Sequence, residues 1–530
     1  MYKIAILQFH GEQMYRENFK KFKIVALLCL TVVLGFTFVT ARQQEKRSCM
    51  GVEILYNADS FNQYVYRDFS DSLRFFDQKA PVDIASSTIY ISQKADENTT
   101  FSDFEGSLFI TDSRYRLYFA YDEYFEDIPQ AVKDGHMFRL YVTDNSGEYM
   151  QYNVVFTSLP VLKLDGELTD PQAAAGREPD KTDLFEGNVC LWTSHDPDTL
   201  SYTVRNSALE WHIRGRTAAE HEKKPYKLSL KKADGRINDV EFLGMGSDDD
   251  WLLNAMAFDN TLMREKLFSD LWNDIAAESE YDYPMSEGEF VEAVVNGSYS
   301  GVYYLQRRVD RKLLSLDSSN VLLKGGPAEA GLLPEVVYSN ISDEKIIELT
   351  TDFFSKEDLS AVNVENYIDI NIFAQFAYTA DNLAHSNIFY ILDTDNDNLV
   401  ISHCFWDTDI TFGKRTYNAL DLEHTINRSL ARHDTDILVN FHPDFYINCL
   451  DRWQYLRTGF LSEDNIMARL SQYETVLNDS GAAQRNYERW KHCRNEDDGI
   501  NELKEFISRR LVWSDGYFAI KAEEARAALS

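Results

Sequence analysis

The run VENYIDINIFAQFAYTA, residues 364 to 380, has apolar positions at helical spacing and few charges, which predicts a buried helix. A buried helix needs a core around it, and 530 residues exceed what one hydrophobic core usually holds, so two domains with appendages are expected. The run delivers the chain to DNLAHSNIFYI, a short polar loop entering a strand, then to the turn DTDNDN and the strand LVISHCFWD. Loop, strand, turn, strand and carboxylate make a hairpin whose polar ends fall on one side. The carboxylates there, Asp407 and Asp409 in FWDTDITFG, are two apart, so on a strand both face one way while Trp406 and Thr408 face the other. Such a pair in apolar flanks repels unless a cation, a shared proton or a basic side chain compensates. A metal site and a salt-bridged strand end both meet that requirement.

An apolar fraction of 44% with 13% aromatic residues argues for packed structure rather than disorder. A formal charge of −33 excludes a nucleic-acid partner, which needs a basic footprint, and leaves a basic protein substrate or plain solubility as the reason for the acidity. Ile24 to Ala41, IVALLCLTVVLGFTFVTA, is 18 residues without a charge, preceded by Lys20, Lys21 and Lys23. With Val39-Thr40-Ala41 as a small-residue exit it reads as a signal peptide, and its length also suffices for an uncleaved anchor; initiation at Met14 would shorten the leader. Residues 1–48 are therefore read as a cytoplasmic tail plus signal peptide or signal anchor, the contact with the membrane, and the chain from Cys49 onward as extracytoplasmic, either membrane-anchored or secreted. The six cysteines form no CxxC pair or regular spacing, which predicts mostly buried free thiols rather than disulfides or zinc.

Residues 51–158 carry short alternating segments such as STIYISQ, YRLYFAY and QYNVVFTS between Asp, Asn, Ser and Gly, the pattern of a small all-β domain. It has no catalytic cluster and reads as a spacer or binding module. From Leu159 the strands SALEWHIRG and PYKLSLKK give way to a helical pattern over Asn260 to Ala277, then to a hairpin turning at Asn296-Gly297. The fold class expected is α+β, with helices packing at the C-terminus from about residue 470.

Asp393, Asp395 and Asp397 superficially resemble a calcium loop, but Asn398 and Cys404 stand where an EF-hand needs Gly and Glu, so a solvated turn is expected. Asp381 follows the buried helix and Asn387 enters the strand paired with the one ending at Asp407, so the three could converge at one end of the hairpin. Phosphoryl transfer of the protein-kinase type uses a carboxylate to accept a hydroxyl proton, plus an Asn and an Asp to hold magnesium against nucleotide phosphates, in this order. Cations for the phosphates are expected earlier, on a strand before a helix with an acidic partner. HIRGRTAAEHEKKPYKLSL offers Arg214, Arg216, Lys223, Lys224 and Lys227, and the next helix holds Arg264, Glu265 and Asp270. A glycoside hydrolase using Asp407 and Asp409 fits less well: carboxyls roughly 6 to 7 Å apart on one strand face suit that chemistry, but no sugar cleft can be read.

Several stretches resemble the CotH (spore-coat protein H) family of kinase-like proteins, from about Leu159 to the C-terminus. IRGRTAAEHEKKPYKLSL is similar to its RG-then-KKxY strand, WLLNAMAFDNTLMREKLFSDLW to its W-L-L helix, FVEAVVNGSYSGVYYLQRRVD to its NG hairpin, and DNLAHSNIFYI and FWDTDITFG to its catalytic loop and W-D-x-D metal motif. The resemblance implies a divergent protein-kinase-like domain over 159–530 and ATP-dependent phosphorylation of protein Ser/Thr residues, on spore-coat proteins in the founding members. It implies Asp381 as the catalytic carboxylate, Asn387 and Asp407 as magnesium ligands (manganese being an alternative ion) with Asp409 in support, and Lys227 or Lys224, Arg214 and Glu265 on the nucleotide side. Two departures stand out. Asn387 lies six positions after Asp381 where five is usual, which admits Asn382 or His385 as the partner, and Arg307 stands where the family commonly has Glu. The competing expectation is a catalytically inactive surface protein that uses the same domain for binding.

Overall fold

The computed structural model describes residues 53–530 apart from 56, 58–60, 62, 94–106, 145, 173–175, 195–202, 326–333, 356, 385–386, 395–398, 415–421, 431–432 and 492–496. The apolar run 24–41, Cys29, Cys49, Cys493, His385, Asp395 and Asp397 lie outside the described residues. Among those described, no helix is long and apolar enough to cross a membrane.

The chain groups into two compact units. The smaller, built from residues up to Ala80, Asn98–Ile128 and Met137–Val154, is β-rich. Strand Glu53–Leu55 runs parallel to Arg116–Ala120, which pairs antiparallel with Met137–Thr143. Facing tyrosines Tyr118 and Tyr141 sit in register there, and Phe61 packs its ring 5.2 Å from Tyr141 and Tyr149. Pro81–Glu97 and Pro129–His136, inside the span read as one β domain, group with the larger unit.

The larger unit opens with a closed barrel of seven strands. These are β1 (Val161–Leu168), β2 (Phe185–Thr193), β3 (Thr203–Ile213), β4 (Tyr226–Lys231), β5 (Asp250–Asn254), β6 (Gly288–Val295) and β7 (Ser298–Arg307). The ring runs β1-β2-β3-β4-β5-β7-β6 and closes where β6 returns parallel to β1, Val161 opposite Glu292. Period-two alternation directs the packing: in β4 Tyr226, Leu228 and Leu230 are buried while Lys227, Ser229 and Lys231 face outward. Phe185 stacks on Trp211 at 4.0 Å within this interior. The β6–β7 turn is Asn296-Gly297 with φ of 46° and 70°, the left-handed pair that a two-residue hairpin demands.

Between β5 and β6 lies helix α1 (Arg264–Ala276). It is shorter than the expected pattern because Asp259 organises a turn before it, accepting from the backbone N–H of Arg264 at 2.7 Å and the hydroxyl of Thr261 at 2.7 Å. A second, four-stranded sheet follows, ordered β9-β8-β10-β11: β8 (Asn320–Lys324), β9 (Glu335–Tyr338), β10 (Ile388–Asp393) and β11 (Val400–Phe405). Helix α2 (Val364–Ala377) is buried over almost its whole length, as its apolar pattern predicts. Asn363 caps its start, accepting from the N–H of Asn366, and Tyr378 ends it at φ 55°. The Phe268 and Trp272 rings of α1 each lie 5.0 to 5.3 Å from those of Phe373 in α2 and Phe405 in β11, so one core joins helix, helix and hairpin. The remaining helices include Phe445–Arg457, Glu463–Asp479, Ala482–Arg489 and the long Asp497–Leu529. Cys190, Cys404 and Cys449 are free and buried.

Candidate functional site

The site grows from the end of α2. Past Tyr378 the chain makes a short helix, Ala380–Ala384, that carries Asp381 and Asn382. Asn387 stands just before β10, and its side-chain Nδ2 donates to Asp381 Oδ2 at 2.7 Å. Donating that N–H fixes the amide's orientation and leaves the Asn387 carbonyl oxygen for another partner, the atom a hard cation takes. The six-residue spacing therefore still brings Asp381 and Asn387 together. Asn382 is used differently: its Nδ2 donates to the backbone carbonyl of Trp406 at 2.6 Å and lies 3.2 Å from that of Asp407. It ties the entrance of β10 to the exit of β11, and its own Oδ1 is buried without a partner.

One expectation fails here. Strand β11 stops at Phe405, so Asp407 and Asp409 do not alternate along a strand. Asp407 adopts φ 59°, a left-handed conformation that costs a non-glycine residue energy and that concentrates at functional sites. Phe412 (φ 47°) and Gly413 (φ 78°) continue the irregular turn, and the Phe412 N–H bonds the carbonyl of Ala377 at 2.8 Å, fastening the loop to the end of α2. The two carboxylates are thus placed by a loop turn, and the strand-face spacing considered for a glycosidase has no basis.

Glu265 enters from the first turn of α1, 3% exposed, accepting from Gln306 Nε2 at 3.0 Å and from the Asn254 amide. Burial, and next the charge of Asp407, push its carboxyl up to about 8. Burial also raises Asp409 well above the carboxylate range, followed by the charges of Asp407, Glu265, Asp259 and Asp381. Five acids therefore share one field; Arg264 pairs with Asp259, whereas amides rather than cations hold Glu265.

Cations approach from two sides. The Arg214 guanidinium lies 5.2 Å from the Trp406 ring centroid and the Lys324 amine 5.6 Å from it. Burial lowers the Lys324 amine first of all, the charge of Glu335 raises it, and Arg214 and Asp407 act on it in opposite directions. Sequence reading missed Lys324; the signal was a lysine closing the apolar strand NVLLK, in register with Phe389 of the hairpin. Lys227 pairs with Asp250 at 3.0 Å, and Lys224 donates to the carbonyl of Ala219 at 2.9 Å. Arg307, the reversed charge, bonds buried Asp248 at 3.2 Å, so its charge is met there.

The donor set of carboxylate and amide oxygens, strongly acidic and partly buried, fits a hard divalent cation such as magnesium. A family profile described as CotH kinase protein matches residues 211–514, more than half of the chain, including every site residue named above. The match begins in β3, so β1 and β2 of the barrel lie outside it. No curated protein matches the chain.

Proposed function

The chain belongs to the CotH kinase family, and from that membership we propose that it is a magnesium-dependent protein kinase transferring phosphate from ATP to Ser/Thr hydroxyls. The observation that carries the proposal is the Asn387 to Asp381 hydrogen bond of 2.7 Å beside an Asp407 held at φ 59°. Asp407 and Asn387 would hold magnesium, or manganese, with Asp409 behind them. The ion, when bound, screens the phosphate charges and offsets the cost of the buried acids.

Asp381, oriented by Asn387, accepts the proton of the attacking hydroxyl. Arg214 and Lys324 would meet phosphate oxygens, and Lys227 would join them by exchanging its bond to Asp250. Glu265 anchors α1 against Gln306 and Asn254 and so sets how close the helix stands to Asp407. The run 24–41 would carry the domain out of the cytoplasm, which makes extracytoplasmic proteins its substrates. The kinase-like fold is part of the same proposal. The inactive-protein alternative rested on Arg307, whose charge is met by Asp248 rather than in the site, and on the stretched loop, across which Asn387 still bonds Asp381.

Incubation of the protein with radiolabelled ATP, magnesium and a basic acceptor protein tests this reading. Labelled phosphoserine or phosphothreonine, lost in Asp381→Ala, is expected; labelling that survives Asp381→Ala would overturn the assigned role.

A further inference from the structure

At the other end of the barrel lies a cavity of about 300 Å³. Thr203, the first residue of β3, lines it, whereas β3 ends at Ile213, next to Arg214 of the acid site. At about 3.3 Å per residue the strand sets the two places roughly 30 Å apart. Leu159, Leu191 and Phe290, all buried, form an apolar wall. Leu191 faces Arg205 across the β2–β3 ladder, so both side chains share the inner face of the barrel, with Arg205 at its rim.

Two charges stand at the rim. Arg205 and Glu241 are both exposed, and neither has an ion-pair partner among the described residues. A third, Glu289, is already held by Lys266 at 3.1 Å. A neighbouring hollow of about 510 Å³ differs in this respect, because its Lys266, Asp270 and Arg469 are all ion-paired.

We propose that the barrel cavity binds a small zwitterion with an apolar body, an apolar α-amino acid or dipeptide, its carboxylate on Arg205 and its ammonium on Glu241. Guanidinium and carboxylate form a two-pronged pair, and the ligand's apolar body gains by leaving water. A ligand with one charge leaves either Arg205 or Glu241 without its partner, which gives the selectivity. The volume lies at the lower end for ligand cavities, which suits so small a molecule.

Titration calorimetry of the intact protein with L-phenylalanine, L-leucine and Leu-Leu tests this, with phenylacetate and phenethylamine as probes that each lack one charge. At least one zwitterion is expected to bind, with the single-charge probes roughly tenfold or more weaker. Arg205→Ala and Glu241→Ala, both surface changes that leave the core alone, should each cost a similar factor. Asp407→Ala should bind the zwitterion unchanged, which keeps this result separate from the phosphate chemistry. Binding by none of the three zwitterions, equal binding of phenylacetate, or full binding by Arg205→Ala would overturn the proposal.

Discussion

The larger unit holds two acidic clusters that differ in what answers their charge. Asp239, Asp248 and Asp249 bring three carboxylates close enough to share an ion. Lys312 already occupies that position, 2.6 Å from Asp239, 3.5 Å from Asp248 and bonded to Asp249, while Arg307 holds Asp248 at 3.2 Å. At the other cluster Glu265 rests on two amides, Asp381 receives an amide from Asn387, and Arg214 and Lys324 lie over the Trp406 ring. A count of carboxylates would pick the first cluster for a metal; the charge balance picks the second. Acids that bring their own cations brace a fold, whereas buried acids kept by amides retain a cost that an arriving cation relieves.

The sharpest way to break this contrast is to remove one acid from each cluster. Asp407→Ala should lower phosphate transfer roughly 10³-fold or more with little change in melting temperature. Asp248→Ala should leave transfer nearly intact but destabilise by about 3 kcal/mol, since it strands Arg307 against a buried position. Denaturant unfolding paired with a labelling assay on both variants checks this; the opposite assignment of effects would exchange the roles of the clusters.

A smaller effect sharpens the comparison through pH. Glu265 holds its proton in the fold up to about 8, against 4.5 for a free side chain. Between those values the unfolded chain gives up the proton while the folded chain keeps it, so stability falls as pH rises through that window and levels off above it. Glu265→Gln should flatten this slope and melt higher than the wild type at pH 8. Melting curves from pH 5 to 9 read it out, and an unchanged slope in the variant would remove Glu265 from the account.

Much of this arrangement was legible in the sequence, for local reasons. The alternation in Tyr226–Lys231, the Asn296-Gly297 turn and the charge-poor run of α2 each specify their own conformation, and the order of Asp381, Asn387 and Asp407 specifies a hairpin end. What could not be read depends on partners distant in the chain or on backbone angle. The barrel closes through parallel pairing of Val161 with Glu292, which no nearby residue announces. Lys324 reaches Trp406 only because β8 lies beside β10, and Lys227 meets Asp250 from a neighbouring strand. The run LVISHCFWD reads as a strand through Asp407, yet the ladder ends at Phe405 and a φ of 59° turns Asp407 off it.

We propose the acid cluster at Asp407 as a magnesium nucleotide site. A thermal-shift measurement with ATP and magnesium, made on the wild type and on Asp407→Ala, tests it most directly. Saturating ligand should raise the wild-type melting temperature by about 2 °C or more, and Asp407→Ala should show no rise. An equal rise in both proteins, or none in the wild type with either magnesium or manganese, would contradict the claim.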